Sequence, residues 1–323
     1  MKNISYLTAL ILTVIFSQSS CNDCNCPEPN PPMYDQLELN KMIVETNTTN
    51  ASTAFETVFS KNITDSTSRA TFSQVFVDSA RFYDDKSGYF FIETLDGAWA
   101  VAHVNHDLIG TSRINVQDEN GKFFIQEMVQ TVRYTGFGFV EYYRKNPASL
   151  INERKLSFVT SIPSANWFIG TGFYGGPGTL YYTDYEAKQL ILQETVNTMA
   201  RGISGIITNI YPGGAERVDF CRDFVDHIKF FDDASGYFFI NDFDGINIAH
   251  GADSGHQGQN DYDLQDTQGS YIIRDMINIA KDGGSGFYEY YWINPSSNKE
   301  EKKLTYVKSI IGTDYFIGAG SYY

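Results

Sequence analysis

Displacing the chain by 148 residues lays one half of it over the other. Arg69–Arg81 ("RATFSQVFVDSAR") falls on Arg217–Lys229 ("RVDFCRDFVDHIK"), and "GYFFI" at 88–92 falls on 236–240. "GFVEYY" at 138–143 meets "GFYEYY" at 286–291, and "KLSFV" at 155–159 meets "KLTYV" at 303–307. "WFIGTG" at 167–172 meets "YFIGAG" at 315–320. A chain of 323 residues written twice is constrained to fold as two copies of one module. Each copy, of about 140–150 residues, is long enough to bury a core of its own.

Each copy opens on a helix. Leu192, Val196, Met199, Ile203 and Ile206 recur at steps of four and three, which is one face of a helix. The first copy has a weaker version of the stripe in Val44, Thr48, Ala51, Phe55 and Val58. A shorter helix follows, then strands near 88–94 and 98–103, a loop, a helix near 121–133, and strands near 137–144, 155–162 and 166–174. Asp96-Gly97 and Asp244-Gly245 are hairpin turns between the first two strands. Asp-x-x-Gly at 118–121 and 266–269 places an aspartate to cap the third helix. The last three strands read as an antiparallel meander. The fold class is therefore α+β, with helices packed mainly on one face of a five-stranded sheet. Gly175–Gly178 ("GGPG") breaks the chain between the copies.

Ahead of the first copy, Lys2 and the apolar run Leu7–Phe16 read as a signal peptide, too short to span a bilayer. The following "SQSSC" resembles a lipoprotein processing box ending at Cys21, with Gln18 where a leucine is expected. Lipidation at Cys21 is the reading adopted; ordinary cleavage between Ser17 and Ser20 is the alternative. The domain plan is then a signal peptide at 1–20, a Pro-rich tether at 21–33, a first domain at 34–174, a linker at 175–179 and a second domain at 180–323. Such a chain is exported to the periplasm or cell envelope and meets the membrane only through its lipid.

The net charge of −15, with no basic run, argues against a nucleic-acid partner. Cys21, Cys24 and Cys26 cluster in the tether and Cys221 stands alone, so there is no disulfide framework and no complete metal set. Cys221 reads as a small buried hydrophobe. Asn47, Asn50 and Asn62 occupy N-x-S/T sequons, which matter only in a host that glycosylates.

The order "GYFFI…DG…AH", aspartate–glycine, "GFVEYY", "KLSFV", "FIGTG", met twice, resembles the single Cache domain, a PAS-like extracytoplasmic sensing module. The resemblance covers about 34–174 and 180–323. It implies tandem PAS-like Cache domains, each with a long N-terminal helix, a five-stranded antiparallel sheet and a pocket for a small polar ligand, often a short organic acid. Two departures stand out. Val104 and Gly251 follow the histidines where the family commonly has proline. The chain also stops at Tyr323, directly after its last strand, so a signal is expected to pass through a membrane receptor or kinase partner.

Candidate ligand contacts follow strand geometry. His103 and His250 end the second strand, where an imidazole either meets a ligand carboxylate or bonds its own loop. Tyr142 shares a strand face with Val140 and Arg144; Tyr288, Tyr290 and Trp292 take that face in the second copy. Such tyrosines are pocket residues or half-buried core. Lys155 and Lys303 begin the fourth strand as pocket cations or solvated edge residues. Tyr89 and Tyr237 of "GYFFI" and Arg113, in the loop after His103, complete the set. With His103, Arg113, Arg144 and Lys155, the first copy is better equipped for an anion, so the copies are expected to differ in ligand or only the first to bind. His103, His106 and Asp107, or His250, Asp253 and His256, match no standard metal spacing, and no cofactor is expected.

No nucleophile motif, phosphate loop or acid–base carboxylate pair is present, so the chain reads as a non-enzymatic small-molecule sensor. The alternative is a structural or adhesive surface module that keeps the fold without a working pocket.

Overall fold

The computed structural model describes residues 32–282 and 284–323. The first copy runs β1 (Met33–Asp35), α1 (Gln36–Lys61), α2 (Ser66–Ser79), β2 (Phe90–Thr94), β3 (Ala100–His103), α3 (Phe124–Thr135), β4 (Phe137–Lys145), β5 (Asn152–Ile162) and β6 (Trp167–Tyr174). The second runs β7 (Tyr181–Thr183), α4 (Asp184–Asn209), α5 (Gly214–Val225), β8 (Phe238–Asp242), β9 (Asn247–His250), α6 (Ile272–Asp282), β10 (Ser285–Asn294), β11 (Lys299–Ser309) and β12 (Tyr315–Tyr322). The apolar run Leu7–Phe16 and the cysteines Cys21, Cys24 and Cys26 lie outside the described residues.

A capping box starts each long helix. Asp35 accepts the Glu38 amide at 2.8 Å while Glu38 accepts the Asp35 amide at 3.1 Å; Thr183 and Glu186 repeat the exchange before α4. The strands form two antiparallel sheets ordered β3-β2-β6-β5-β4 and β9-β8-β12-β11-β10. The helices divide between the sheet faces. Phe90 and Ile92 face the core shared with α1 and α2, whereas Tyr89 and Phe91 face α3 with Phe124, Met128 and Val132. So α3 takes the opposite face to α1 and α2, and α6 does the same in the second copy.

Asp118 does not cap α3, which begins after Phe123 without a side-chain cap. It lies too far upstream. Its Oδ1 instead accepts the Asn120 and Lys122 amides, and its Oδ2 accepts the Tyr143 amide of β4. Asp266 makes the same turn and the same bond to Tyr291. These aspartates pin the loop before the helix to the sheet edge.

The two copies meet on an approximate two-fold axis. In the β1–β7 ribbon Tyr34 pairs with Tyr182, its own equivalent, while Met33 pairs with Thr183 and Asp35 with Tyr181. The rings of the equivalent pair Phe72 and Phe220 lie 6.0 Å apart, and those of Phe76 and Phe224 6.1 Å apart. Equivalent residues touch one another only on a two-fold axis, as in an isologous dimer. One core therefore runs through both copies, with Phe55, Phe72 and Phe76 continuous with Ile203, Phe220 and Phe224. Cys221 is buried in it, as its sequence setting implies. Close approach of α4 to α2 needs Gly202, where a Cβ would lie 2.2 Å from the Phe76 ring. Lys61 and Asp223 join the copies at the rim, 2.8 Å apart. Asn47 and Asn50 are buried in α1, which withdraws these two sequons from modification in the folded chain.

A shared core makes unfolding a joint event. Phe220→Ala is expected to cost about 3–5 kcal/mol. Single-tryptophan variants keeping only Trp167 or only Trp292 are expected to report one common midpoint in guanidinium. Two separated midpoints would show that the copies fold independently.

Candidate functional site

On the α3 face of the first sheet, Tyr89, Phe91, His103 and Tyr142 converge with Arg113 and Arg144 around a small cavity of about 10 Å³. Alternation along the strand brings Tyr89, Phe91 and Glu93 to this side. Gln74 of α2 sets the end of β3 by bonding both the amide and the carbonyl of His103, at 3.1 and 3.2 Å. The Tyr142 ring stacks parallel on Phe124 at 4.2 Å, and its hydroxyl meets Ser157 Oγ at 3.0 Å.

Beneath this floor Lys155 is fully buried and is not an edge residue. Its Nζ sits 3.7 Å from the Tyr89 ring centre and 4.9 Å from that of Tyr174, with no hydrogen-bond partner among the described residues. Burial pushes the Lys155 amine down. Burial pushes the Tyr89 phenol up, but Lys155 outweighs it and brings the phenol to about 8. Arg113 pairs with Glu93 in an ion pair almost wholly removed from solvent. Burial pushes the Glu93 carboxyl up to about 7, against the pull of Arg113. Among the described residues Arg144 makes no ion pair and stands half-buried at the rim.

The proton on His103 follows from its bonds. Its Nδ1 accepts the Asn105 amide at 2.8 Å, and burial, helped by Arg113, holds the ring down at about 3. A neutral ring with a lone pair on Nδ1 carries its proton on Nε2, so it is a donor. His250 is built alike. Its Nδ1 accepts the Asp253 amide at 2.9 Å, and burial holds it at about 3. The loop bond and the pocket role coexist on one ring.

The second pocket, about 30 Å³, repeats the floor with Tyr237, Phe239 and Tyr290. Lys303 lies buried 3.9 Å from the Tyr237 ring centre, also unpartnered. Its wall differs. Asn241 and Asn247 meet at 3.3 Å, His256 Nδ1 lies 3.2 Å from Asp261, and Trp292 replaces Arg144. Of the candidate contacts expected from sequence, His103, Arg113, Tyr89, Tyr142, Arg144, His250, Tyr237, Tyr290 and Trp292 line a pocket and Lys155 and Lys303 underlie one, whereas Tyr288 turns its hydroxyl to Asp275. Glu93, Phe124, Asn241, Asn247 and Asp261 escaped that reading. Continuing the alternation two residues past Phe91 and Phe239 would have found Glu93 and Asn241.

Of the candidate metal residues in the first copy, His106 Nε2 is engaged with Asp78 at 2.8 Å. In the second copy the His250 and His256 rings stack 5.3 Å apart, with His256 Nε2 3.9 Å from Asp253, and His250 Nδ1 already accepts the Asp253 amide. No group of three or more metal-ligating side chains converges among the described residues.

Family models match both copies at the positions of these folds: Single Cache domain 2 over residues 37–176, and Cache domain over 219–323. The chain belongs to the Cache family, in two tandem copies. It is 40% identical over 87 residues to the sensor histidine kinase MctS of Rhizobium johnstonii, a match covering 27% of this chain and 19% of the kinase. Among solved structures it is similar to the periplasmic sensor domain of a chemotaxis protein (28% identity, 40% of this chain and 88% of that one, TM-score 0.36). It is also similar to a methyl-accepting chemotaxis protein from Vibrio parahaemolyticus (26% identity, 43% and 90%, TM-score 0.36). Cache domains are extracytoplasmic sensory modules that bind small ligands rather than catalyse. No described helix of the two Cache domains is long and apolar enough to cross a membrane.

The buried histidines give these Cache domains a pH response. Between about 6.5, the ordinary value, and about 3, the folded value, the unfolded chain protonates at His103 and His250 and the folded chain does not. Their stabilisation is full above pH 6.5 and is lost as pH falls toward 3, by at most about 1.4 kcal/mol per pH unit for each ring. Glu93, raised to about 7, works oppositely between 7 and its ordinary value. In denaturant titrations from pH 7 to 4 the His103→Asn/His250→Asn double variant is expected to lose less stability on acidification than the parent, or to gain some through Glu93. An unchanged slope would refute the assignment.

Proposed function

We propose that the first Cache domain captures a short carboxylate and that the chain works as an extracytoplasmic sensor component. The observation that carries this reading is the charge balance of the first pocket. Arg113 and Arg144 converge there against the single carboxylate Glu93, above the buried Lys155 and beside the Nε2–H donor of His103. A carboxylate at Arg144 forms charge-assisted, bidentate hydrogen bonds and supplies the counter-charge the pocket lacks. A cavity of about 10 Å³ holds little more than one water. Capture is therefore coupled to movement of the loop over 104–123, which bears Arg113.

Signal transfer to a membrane kinase or receptor is supported by the likeness to a sensor histidine kinase. Export and anchoring through Cys21 belong to the same reading and rest on the N-terminal sequence. The small volumes of both pockets favour the second reading, a structural module whose pockets are filled by its own side chains.

Thermal unfolding of the full chain with acetate, propionate or pyruvate separates the two. A carboxylate at a hundred times its Kd is expected to add about 2.7 kcal/mol, and Arg144→Ala to weaken binding at least about tenfold. No shift with any carboxylate favours the structural module.

Lys155→Met exchanges an unpartnered buried amine for an apolar chain of similar length. It is expected to raise the denaturation midpoint while weakening carboxylate binding. A lowered midpoint would mean that the amine is stabilising where it sits.

A further inference from the structure

The two pockets share a floor and differ in charge at three wall positions. Glu93 of the first corresponds to Asn241 of the second, Arg113 to Asp261, and Arg144 to Trp292. The backbone fixes the Arg113–Asp261 equivalence. The Arg113 amide donates to Ala98 O at 2.8 Å and the Asp261 amide to Gly245 O at 2.9 Å, across Asp-Gly turns of which the first is one residue longer. One wall that presents a guanidinium in the first pocket presents a carboxylate in the second.

The second wall also holds hydrogen-bonding capacity that nothing in the described chain uses. Asn241 and Asn247 are almost wholly buried and share one bond, leaving Asn241 Nδ2 and Asn247 Oδ1 without partners. If both amides are turned over, the pair still spends one donor and one acceptor and leaves one of each. Buried amide atoms without partners are costly, and a ligand that supplies both a donor and an acceptor relieves them. Tyr290 and Trp292 line the same pocket as Asp261, their ring centres 6.3 Å apart and tilted by 60°, with His256 next to both Asp261 (3.2 Å) and the Trp292 ring (5.7 Å). Aromatic faces next to a carboxylate favour a cation. Burial drives the Lys303 amine well below its ordinary range, which weakens its opposition to a cation. Lys229 is engaged with the Gly251 carbonyl at 2.8 Å.

We propose that the second pocket binds the ammonium group of a small primary amine, seated between Asp261 and the rings of Tyr290 and Trp292, with a ligand acceptor meeting the free amide of the asparagine pair. The inference rests on the reading of these pockets as ligand sites. It makes the chain a sensor for two chemistries, an anion in the first copy and a cation in the second. The ammonium belongs either to a simple amine or to an amino acid, whose carboxylate would then be the acceptor.

Calorimetry on the full chain tests this with three sets of probes: ethanolamine and glycinamide, glycine and alanine, acetate and propionate. At least one ammonium compound is expected to bind. Asp261→Asn, which keeps shape and removes charge, is expected to weaken it at least about tenfold and leave carboxylate binding unchanged. Trp292→Arg, which installs the residue of the first pocket, is expected to do the same. Retained carboxylate binding in each variant reports that it is folded. Binding of glycine but not ethanolamine assigns an amino acid; the reverse assigns a simple amine. Carboxylate binding with no ammonium binding, or ammonium binding indifferent to Asp261→Asn, overturns the inference and leaves the proposed function standing. If no compound of any class binds, both fall together.

Discussion

The contact of Phe72 with Phe220 and of Phe76 with Phe224 organises the rest of the molecule. Each is a residue meeting its own equivalent, so the inner faces of the two copies close on one another about an axis. That closure consumes the α1–α2 face of the first sheet and the α4–α5 face of the second. The outer face of each sheet keeps a small pocket, under α3 in one copy and α6 in the other, and a larger cleft of about 490 Å³ opens where α1 and α4 meet the 229–233 segment. A duplicated chain thereby has the symmetry of a dimer without the concentration dependence of one, because its halves are tethered.

Duplication also explains which parts of the pockets agree. The floors match: Tyr89 and Tyr237, Lys155 and Lys303, Tyr142 and Tyr290, Tyr174 and Tyr322. In both copies a buried amine lies under aromatic rings without a hydrogen-bond partner among the described residues, an arrangement that costs stability. Folded chains keep such groups where function uses them. The walls have diverged in charge, at Glu93/Asn241 and Arg144/Trp292 on strands and at Arg113/Asp261 in the loops after β3 and β9. Loops tolerate change because few backbone bonds depend on their side chains.

Much of this was legible beforehand for a physical reason. Strand alternation put Tyr142 with Arg144 and Tyr290 with Trp292, and Asp-Gly marked the hairpins that aim His103 and His250. What was missed needed depth. Lys155 reads equally as an edge cation or an interior one, because lysine has no period of its own; only packing shows it beneath Tyr89. Asp118 looked like a cap because aspartate before a helix often is, yet its carboxylate reaches the β4 edge, 25 residues on. The Glu93–Arg113 pair spans 20 residues and a loop whose path no local pattern sets.

The sequence by itself determined that this chain is one α+β module written twice, because turn chemistry and the periods of strand and helix are local and each was met in both copies. It determined most of the residues that gather at the pockets, since alternation alone decides which side chains share a face. Only the tertiary structure decided that the copies fuse through a single two-fold core, that α3 and α6 cover the outer faces, and that Arg113 and Asp261 both line a pocket. Those outcomes depend on which surfaces meet across long separations in sequence, and the balance of burial and charge at such contacts is set by the fold as a whole.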